Sequence, residues 1–130
     1  TLNASWVTVE WQGTRAWSGS QSTTVSIPGA AGTSTGTYRH GKIEVRLLGS
    51  SLNVLNLLRT DSEYLPGVAE MPSSWNAQAL QAQAIAARTY AYRNIGANPK
   101  PACGCDVYDE VNSQKFLGWD IGSASSRESV

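Results

Sequence analysis

A single glutamate, Glu70, lies in an apolar stretch of the chain and is the first side chain that could do chemistry. Its neighbours in sequence are Val68, Ala69, Met71 and Pro72. An apolar environment disfavours an ionised carboxylate and keeps the acid protonated, which is the property that a general acid needs. On the residues alone, an ordinary glutamate near a helix terminus is the favoured interpretation of Glu70.

Arg88 is a charge among small residues on a predicted helix, and it needs a partner. Such a charge has to pair with an opposite charge or meet an anionic group of a ligand. We favour a salt bridge to Asp106 or Asp109 over a direct contact with a substrate. Gln81 and Gln83 of the same helix could hydrogen-bond to a ligand, although polar side chains on a solvent-facing stripe are the commoner explanation.

The tryptophans could stack on sugar rings, but scattered tryptophans are more often packing residues. Trp75 is the best candidate for a ligand contact because it lies close to Glu70 in sequence, near the start of a long predicted helix. The five tryptophans are Trp6, Trp11, Trp17, Trp75 and Trp119.

The two cysteines, Cys103 and Cys105, are separated by one glycine. A disulfide between them would close a very small, strained ring, so we expect two free or separately engaged thiols. Zinc would need further ligands, and the one histidine, His40, lies more than sixty positions earlier. We therefore expect no metal site.

The length of the chain predicts one domain over residues 1–130, and strand-like patterns followed by helix-like ones predict that it is of the α+β class. The chain has 130 residues, zero formal net charge and only 15% charged residues, which disfavours nucleic acid and anionic lipid as partners.

No apolar run approaches the roughly 20 residues of a membrane-spanning helix. Thr1 opens on polar sequence without the pattern of a signal peptide, so we expect any leader or anchor to lie outside this sequence. The abundance of Ser and Thr favours an extracellular protein.

The first half of the chain is predicted to be strands and turns. Residues 42–48 alternate apolar and charged side chains with the period of a half-buried strand. Residues 29–37 are small, glycine-rich and polar, which indicates a loop. The predicted strands are residues 6–11, 23–27, 42–48 and 52–58.

Beyond residue 60 the pattern is helical. Thr60 or Asp61 could cap a short helix with Pro66 in its first turn. Ser73 or Ser74 is then predicted to cap a long alanine-rich helix over residues 75–94, central and buried, with a stop at residues 96–99. Its apolar face is Ala77, Leu80, Ala84, Ala87 and Ala91. We expect an antiparallel sheet packed against this helical hairpin, with Glu70 near the connection between the helices, and a loop and short strand over residues 105–119.

Two blocks resemble one protein family. Residues 64–93 read YLPGVAEMPSSWNAQALQAQAIAARTYAYR, which closely resembles the core motif of the stage II sporulation protein D family, the SpoIID/LytB domain. Residues 105–109 and 113–119, CDVYD and SQKFLGW, resemble its second motif. Residues 38–45 and 52–58 resemble the strands that precede the core motif, so the resemblance spans about residues 38–119.

The chain departs from the family pattern at three places. Gln81 stands where the family often has Lys, and Phe116 replaces the usual Tyr. Family domains also continue into further strands that we expect to be missing after Val130, so the domain is interpreted as truncated at its C-terminal end.

The resemblance implies a peptidoglycan lytic transglycosylase without a cofactor, with Glu70 as its catalytic residue. Such an enzyme can work with one carboxylate, because a hydroxyl of the sugar itself attacks the anomeric carbon, whereas ordinary glycoside hydrolysis uses two. Glu63 would lie roughly 10 Å away along a continuous helix and is not favoured as a second carboxylate. The substrate-binding candidates are Arg88, Gln81, Gln83, Trp75 and Gln114, and Ser113 with Gln114 is more easily explained as fixing a turn.

The resemblance also implies partners and a rival function. The partners would be peptidoglycan glycan strands and a cell-wall amidase, at an extracellular, cell-wall-associated location. Because LytB members are described as amidase enhancers, the domain could instead bind glycan or a hydrolase without cutting. An exposed Glu70 beside a groove lined with Trp75 would favour this rival. A third possibility is a structural module completed only in a longer chain.

Overall fold

The computed structural model describes residues 5–11, 24–27, 37–97, 99–110 and 112–117 of the chain. Two antiparallel sheets come first, and helical structure follows from residue 60 onwards. The predicted α+β class is confirmed, with one long helix as expected.

The larger sheet consists, from one edge to the other, of β1 (Trp6–Val9), β4 (Lys42–Leu48) and β5 (Ser51–Leu57). The predicted bounds of β4 are confirmed, and β5 begins one residue earlier than predicted. Gly49 makes the turn between them at φ 62°, a left-handed conformation that favours glycine. In this register Val45 faces Val7 on one side and Val54 on the other, so one face of the sheet is apolar.

The smaller sheet pairs β2 (Val25–Ser26) with β3 (Thr37–Tyr38). The predicted strand over residues 23–27 is therefore shorter than expected among the described residues. Most of the predicted loop over residues 29–37 lies outside the described residues, and its last residue begins β3.

Residues 60–67 form what we call the short helical segment, a π-helical turn (Thr60–Tyr64) followed by a 3₁₀ turn (Leu65–Gly67). The predicted caps at Thr60 and Asp61 are wrong, since no side chain caps the N-terminus of the π-helical turn. Glu63 acts there instead, because its buried carboxylate accepts the backbone N–H of Arg59 at 2.6 Å. Pro66 lies at the start of the 3₁₀ turn, where its missing N–H costs nothing.

The long helix, α1, spans Ala77–Asn94. Its cap is Asn76, whose side-chain oxygen accepts the N–H of Ala79 at 2.8 Å, rather than Ser73 or Ser74 as predicted. Asparagine is as good an N-cap as serine, so composition alone could not choose between them. The prediction of a central, buried helix is also wrong, because α1 buries one narrow face at Ala87, Ala91 and Asn94.

A compact core lies between α1, the short helical segment and the loop that follows α1, which contributes Val107 and Phe116. It contains Tyr64, Val68, Ala87, Ala91 and Phe116, with Leu58, Leu65 and Val107 packed against it. The small side chains of α1 let the loop and the short helical segment approach the helix closely. In place of the predicted short strand over residues 105–119, the described residues of this range form single bridges at Cys105 and Phe116.

Cys103 and Cys105 form a disulfide, with 5.2 Å between their Cα atoms. The expectation of free thiols is therefore wrong. Gly104 between them adopts a φ of 61°, which glycine tolerates without steric cost and which lets the chain turn sharply enough to bring the two sulfurs together. The disulfide-bonded turn also contacts the larger sheet, since the side chain of Asn53 on β5 donates to the Cys103 carbonyl.

Candidate functional site

Glu70 lies in the connection between the short helical segment and α1, as predicted. Its side chain is exposed, so the expected apolar surroundings are wrong: Val68 is buried beside it while Glu70 turns to solvent. Its Oε1 accepts the backbone N–H of Lys115 at 2.5 Å. A hydrogen bond from a backbone N–H fixes the orientation of the carboxylate.

The segment that carries this donor, residues 114–117, runs antiparallel to residues 67–69. Ala69 donates to the Lys115 carbonyl at 2.8 Å, and Leu117 donates to the Gly67 carbonyl at 3.0 Å. Between these two bonds, Val68 bridges to Phe116. The backbone from the Lys115 carbonyl to Leu117 is therefore paired with the backbone just before Glu70.

Tyr64 packs against the same segment from the core. Its hydroxyl donates to Gln114 Oε1 at 2.8 Å, and both side chains are buried. Its ring stacks on Phe116 with ring centroids 5.4 Å apart. Burial raises the pKa of the Tyr64 hydroxyl well above its usual range, and the nearby Tyr90 and Glu70 raise it further.

This raised pKa predicts a loss of stability in alkali. Above about pH 10 an unfolded tyrosine releases its proton, whereas folded Tyr64 keeps it. The unfolded state then binds fewer protons, so the free energy of unfolding falls as pH rises through this range. We expect urea unfolding between about pH 8 and pH 11 to show a flatter decline for Tyr64→Phe than for wild type. Equal declines would contradict the assignment, and Tyr92→Phe, an exposed tyrosine, is the control.

A pocket of about 430 Å³ lies between the short helical segment and α1. Its walls are mainly apolar, and Arg88 and Asp61 contribute its charges. Arg88 Nη1 lies 3.9 Å from Asp61 Oδ1, and both side chains are about half exposed. The predicted partners, Asp106 and Asp109, are thus replaced by Asp61, and Asp106 instead accepts the N–H of Gly96 at 2.9 Å. An exposed pair of this kind contributes only about 0–1 kcal/mol, so Arg88 can exchange Asp61 for an anionic ligand at little cost.

The other predicted binding residues are distributed unevenly. Gln83 lines the pocket, whereas Gln81 is exposed on α1. Trp75 is 52% exposed just before α1, and neither it nor Glu70 lines the pocket. Gln114 is buried, and its side-chain oxygen accepts a hydrogen bond from Tyr64. In this structure it therefore supports the site from the core.

Of the remaining tryptophans, Trp6 is exposed on β1 and Trp11 is half-buried, while Trp17 and Trp119 lie outside the described residues. Ser113 fixes the loop before Gln114, as the sequence favoured, because its hydroxyl accepts the N–H of Tyr108 at 3.2 Å.

The described ranges contain neither a cluster of metal ligands nor a membrane-spanning helix. Among these residues no group of three or more His, Cys, Asp and Glu side chains is placed to hold a metal ion. Within the same ranges, no helix has the length and apolar character needed to cross a bilayer.

Two residues of the site, Tyr64 and Lys115, were missed as site residues by reasoning from the sequence. Tyr64 opens the first family-like block and could have been found as a buried hydroxyl in need of a partner. Lys115 acts through its backbone N–H, which every residue except proline has, so no side-chain pattern marks it.

Comparison with known proteins gives one family. A family model with the description "SpoIID: Stage II sporulation protein" matches residues 49–129, more than half of the chain. The matched range includes Glu70, α1 and residues 112–117. No curated protein and no solved structure matches the chain.

Proposed function

We propose a cell-wall-cleaving activity, from the premise that the chain belongs to the SpoIID family of stage II sporulation proteins. Membership gives the protein a cell-wall-related role in sporulation. Within that role, we assign it to the lytic transglycosylases, which cut the glycan strand of peptidoglycan between N-acetylmuramic acid and N-acetylglucosamine. The observation that carries the assignment is a Glu70 carboxylate held by the Lys115 backbone N–H, in sequence between Val68 and Met71, which both line the pocket.

One carboxylate is sufficient for this reaction. Protonated Glu70 gives its proton to the glycosidic oxygen, and the C1–O bond breaks with its electron pair going to that oxygen. The 6-hydroxyl of the same muramic acid then attacks C1 and loses its proton to Glu70, which leaves an anhydro sugar and restores the acid. No water is consumed, so the second carboxylate of a hydrolase is not required.

The surroundings of Glu70 suit a reaction with a single catalytic carboxylate. Glu63, the other carboxylate of the region, is buried and bonded to the Arg59 N–H, so it serves the fold. The Lys115 N–H stabilises the charge that Glu70 gains after giving up its proton, in the manner of a pre-oriented donor.

The pocket is proposed as the site for the part of the substrate that lies beside the scissile bond. Its apolar walls fit the carbon face of a sugar or of a stem peptide, and Gln83 offers hydrogen bonds to hydroxyl groups. Arg88 would pair with the lactyl or peptide carboxylate in place of Asp61. Trp75, with half of its surface exposed, and Gln81 would contact the glycan further along.

A second candidate function is non-catalytic, and the exposure of Glu70 favours it. The sequence predicted that a catalytic Glu70 would be surrounded by apolar side chains, and it is not. An exposed Glu70 and an exposed Trp75 also suit a domain that binds glycan, or enhances a cell-wall amidase, without cutting. Both functions place the protein outside the cell membrane, in contact with the cell wall.

Product analysis separates the two functions. Purified glycan strands without stem peptides are incubated with the protein, and the products are identified by mass spectrometry. Anhydro ends are the expected result, because the sugar's own hydroxyl is the nucleophile. Reducing ends would mean hydrolysis and a second carboxylate, and uncut glycan that still sediments with the protein would favour the binding function.

A further inference from the structure

Tyr64 contacts the residues on both sides of the donor to Glu70. Its hydroxyl donates to the side chain of Gln114, and its ring stacks on Phe116. Lys115, the residue between them, donates its N–H to the Glu70 carboxylate. Along an extended segment, alternate side chains point to the same side, so Gln114 and Phe116 both face Tyr64 in the core.

This arrangement gives each part of Tyr64 a separate task. Phe116 is held by the stacked rings and by its bridge to Val68. Gln114 lies beyond the paired backbone, and its side-chain oxygen is held by the Tyr64 hydroxyl in a buried position. Without that bond the peptide between Gln114 and Lys115 could rotate, because it is the last peptide before the paired stretch.

We propose that Tyr64 is a positioning residue for Glu70, acting through Gln114 to aim the Lys115 N–H at the carboxylate. This inference rests on the proposed function for its catalytic consequence, although the contacts themselves are independent of it. The hydroxyl of Tyr64 does not touch the substrate, since the residue is only 7% exposed. Its effect on the reaction is to keep one donor in place for the charge that forms on Glu70.

The test compares two variants that break the same bond from opposite ends. Tyr64→Phe removes the hydroxyl and keeps the stacked ring, while Gln114→Met removes the acceptor and keeps the side-chain length. The control is Tyr38→Phe, which removes the hydroxyl of another buried tyrosine, on β3 of the smaller sheet. Dispersed amide spectra establish that each variant is folded.

The first readout is independent of activity and concerns the Lys115 amide. We expect its hydrogen exchange, measured by nuclear magnetic resonance, to quicken about tenfold in Tyr64→Phe and in Gln114→Met, as for the loss of one buried hydrogen bond. Tyr38→Phe should leave it unchanged. The double variant should be no faster than either single variant, because both changes break one bond. Unchanged exchange in both variants would overturn the proposal.

The second readout is glycan cleavage. We expect kcat to fall about fivefold to tenfold in both variants with KM unchanged within about twofold, because the donor acts on Glu70 and not on substrate binding. A rise in KM alone, or an unchanged kcat despite faster exchange, would overturn the catalytic role. If wild type cleaves no glycan, the proposed function fails, while the exchange rates still decide whether Tyr64 holds the donor.

Discussion

Glu70→Gln is expected to lower the rate of glycan cleavage by about a thousandfold. A general acid contributes about 10²–10⁴ to the rate, and in the proposed reaction the same group also acts as the base. Glutamine has nearly the shape of glutamate and can still accept the Lys115 N–H with its carbonyl oxygen, so the backbone around residue 70 should stay in place. The variant removes the transferable proton and little else.

The measurement is the initial rate of release of anhydro ends, with Glu10→Gln as the matched control. Glu10 is an exposed carboxylate that lies 4.0 Å from Lys42 on the larger sheet, and its replacement makes the same chemical change away from the site. Full activity in Glu10→Gln with almost none in Glu70→Gln is the expected pair of results. A Glu70→Gln variant that keeps a tenth or more of the rate would exclude Glu70 as the catalytic residue.

Of the single substitutions proposed for this protein, Gly67→Ala should lower the free energy of unfolding most, by about 2–3 kcal/mol, as is typical of overpacking in a core. A Cβ on Gly67 would overlap the Phe116 ring, with Cδ2 at 2.9 Å and Cζ at 3.0 Å and Cε2 closer still. Unlike Gly49 and Gly104, Gly67 does not have a positive φ, so the backbone itself accepts alanine. The loss would therefore come from displacement of Phe116, which also shifts the adjacent Lys115 N–H away from Glu70.

Urea unfolding followed by circular dichroism measures this loss, and a second substitution identifies its cause. Phe116→Leu makes room for the new methyl group at the expense of the stacked ring. The loss in Gly67→Ala with Phe116→Leu should therefore be smaller than the sum of the two single losses. Additive losses would show that the alanine acts through something other than the Phe116 ring.

The local elements of the fold were predictable because their signals are local. The alternation of Ile43, Val45 and Leu47 with charged residues set the bounds of β4, and the run of alanines indicated α1. The start of α1 was misplaced by two residues, since Ser73, Ser74 and Asn76 are all good caps and only the course of the preceding turn selects one. The disulfide could not be predicted for a similar reason, because the strain of its small ring depends on the conformation of Gly104.

Of the candidate site, only Glu70 could be predicted from the sequence. The neighbours of Glu70 made it a candidate, only the resemblance to a family implied its role, and its place between the two helical elements was also predictable. Its solvent exposure, its donor and the Asp61 partner of Arg88 depend on how distant parts of the chain meet. Lys115 lies 45 residues after Glu70, and nothing in the local sequence of either residue specifies that contact.

That separation has a consequence for the newly synthesised protein. The short helical segment, Glu70 and α1 leave the ribosome well before residues 114–117, and α1 can form from local contacts while translation continues. The acid is therefore made first and acquires its backbone donor only when the later segment pairs with residues 67–69. A nascent chain halted before residue 114 would carry the acid in the connection before α1 and yet lack the contact that orients it.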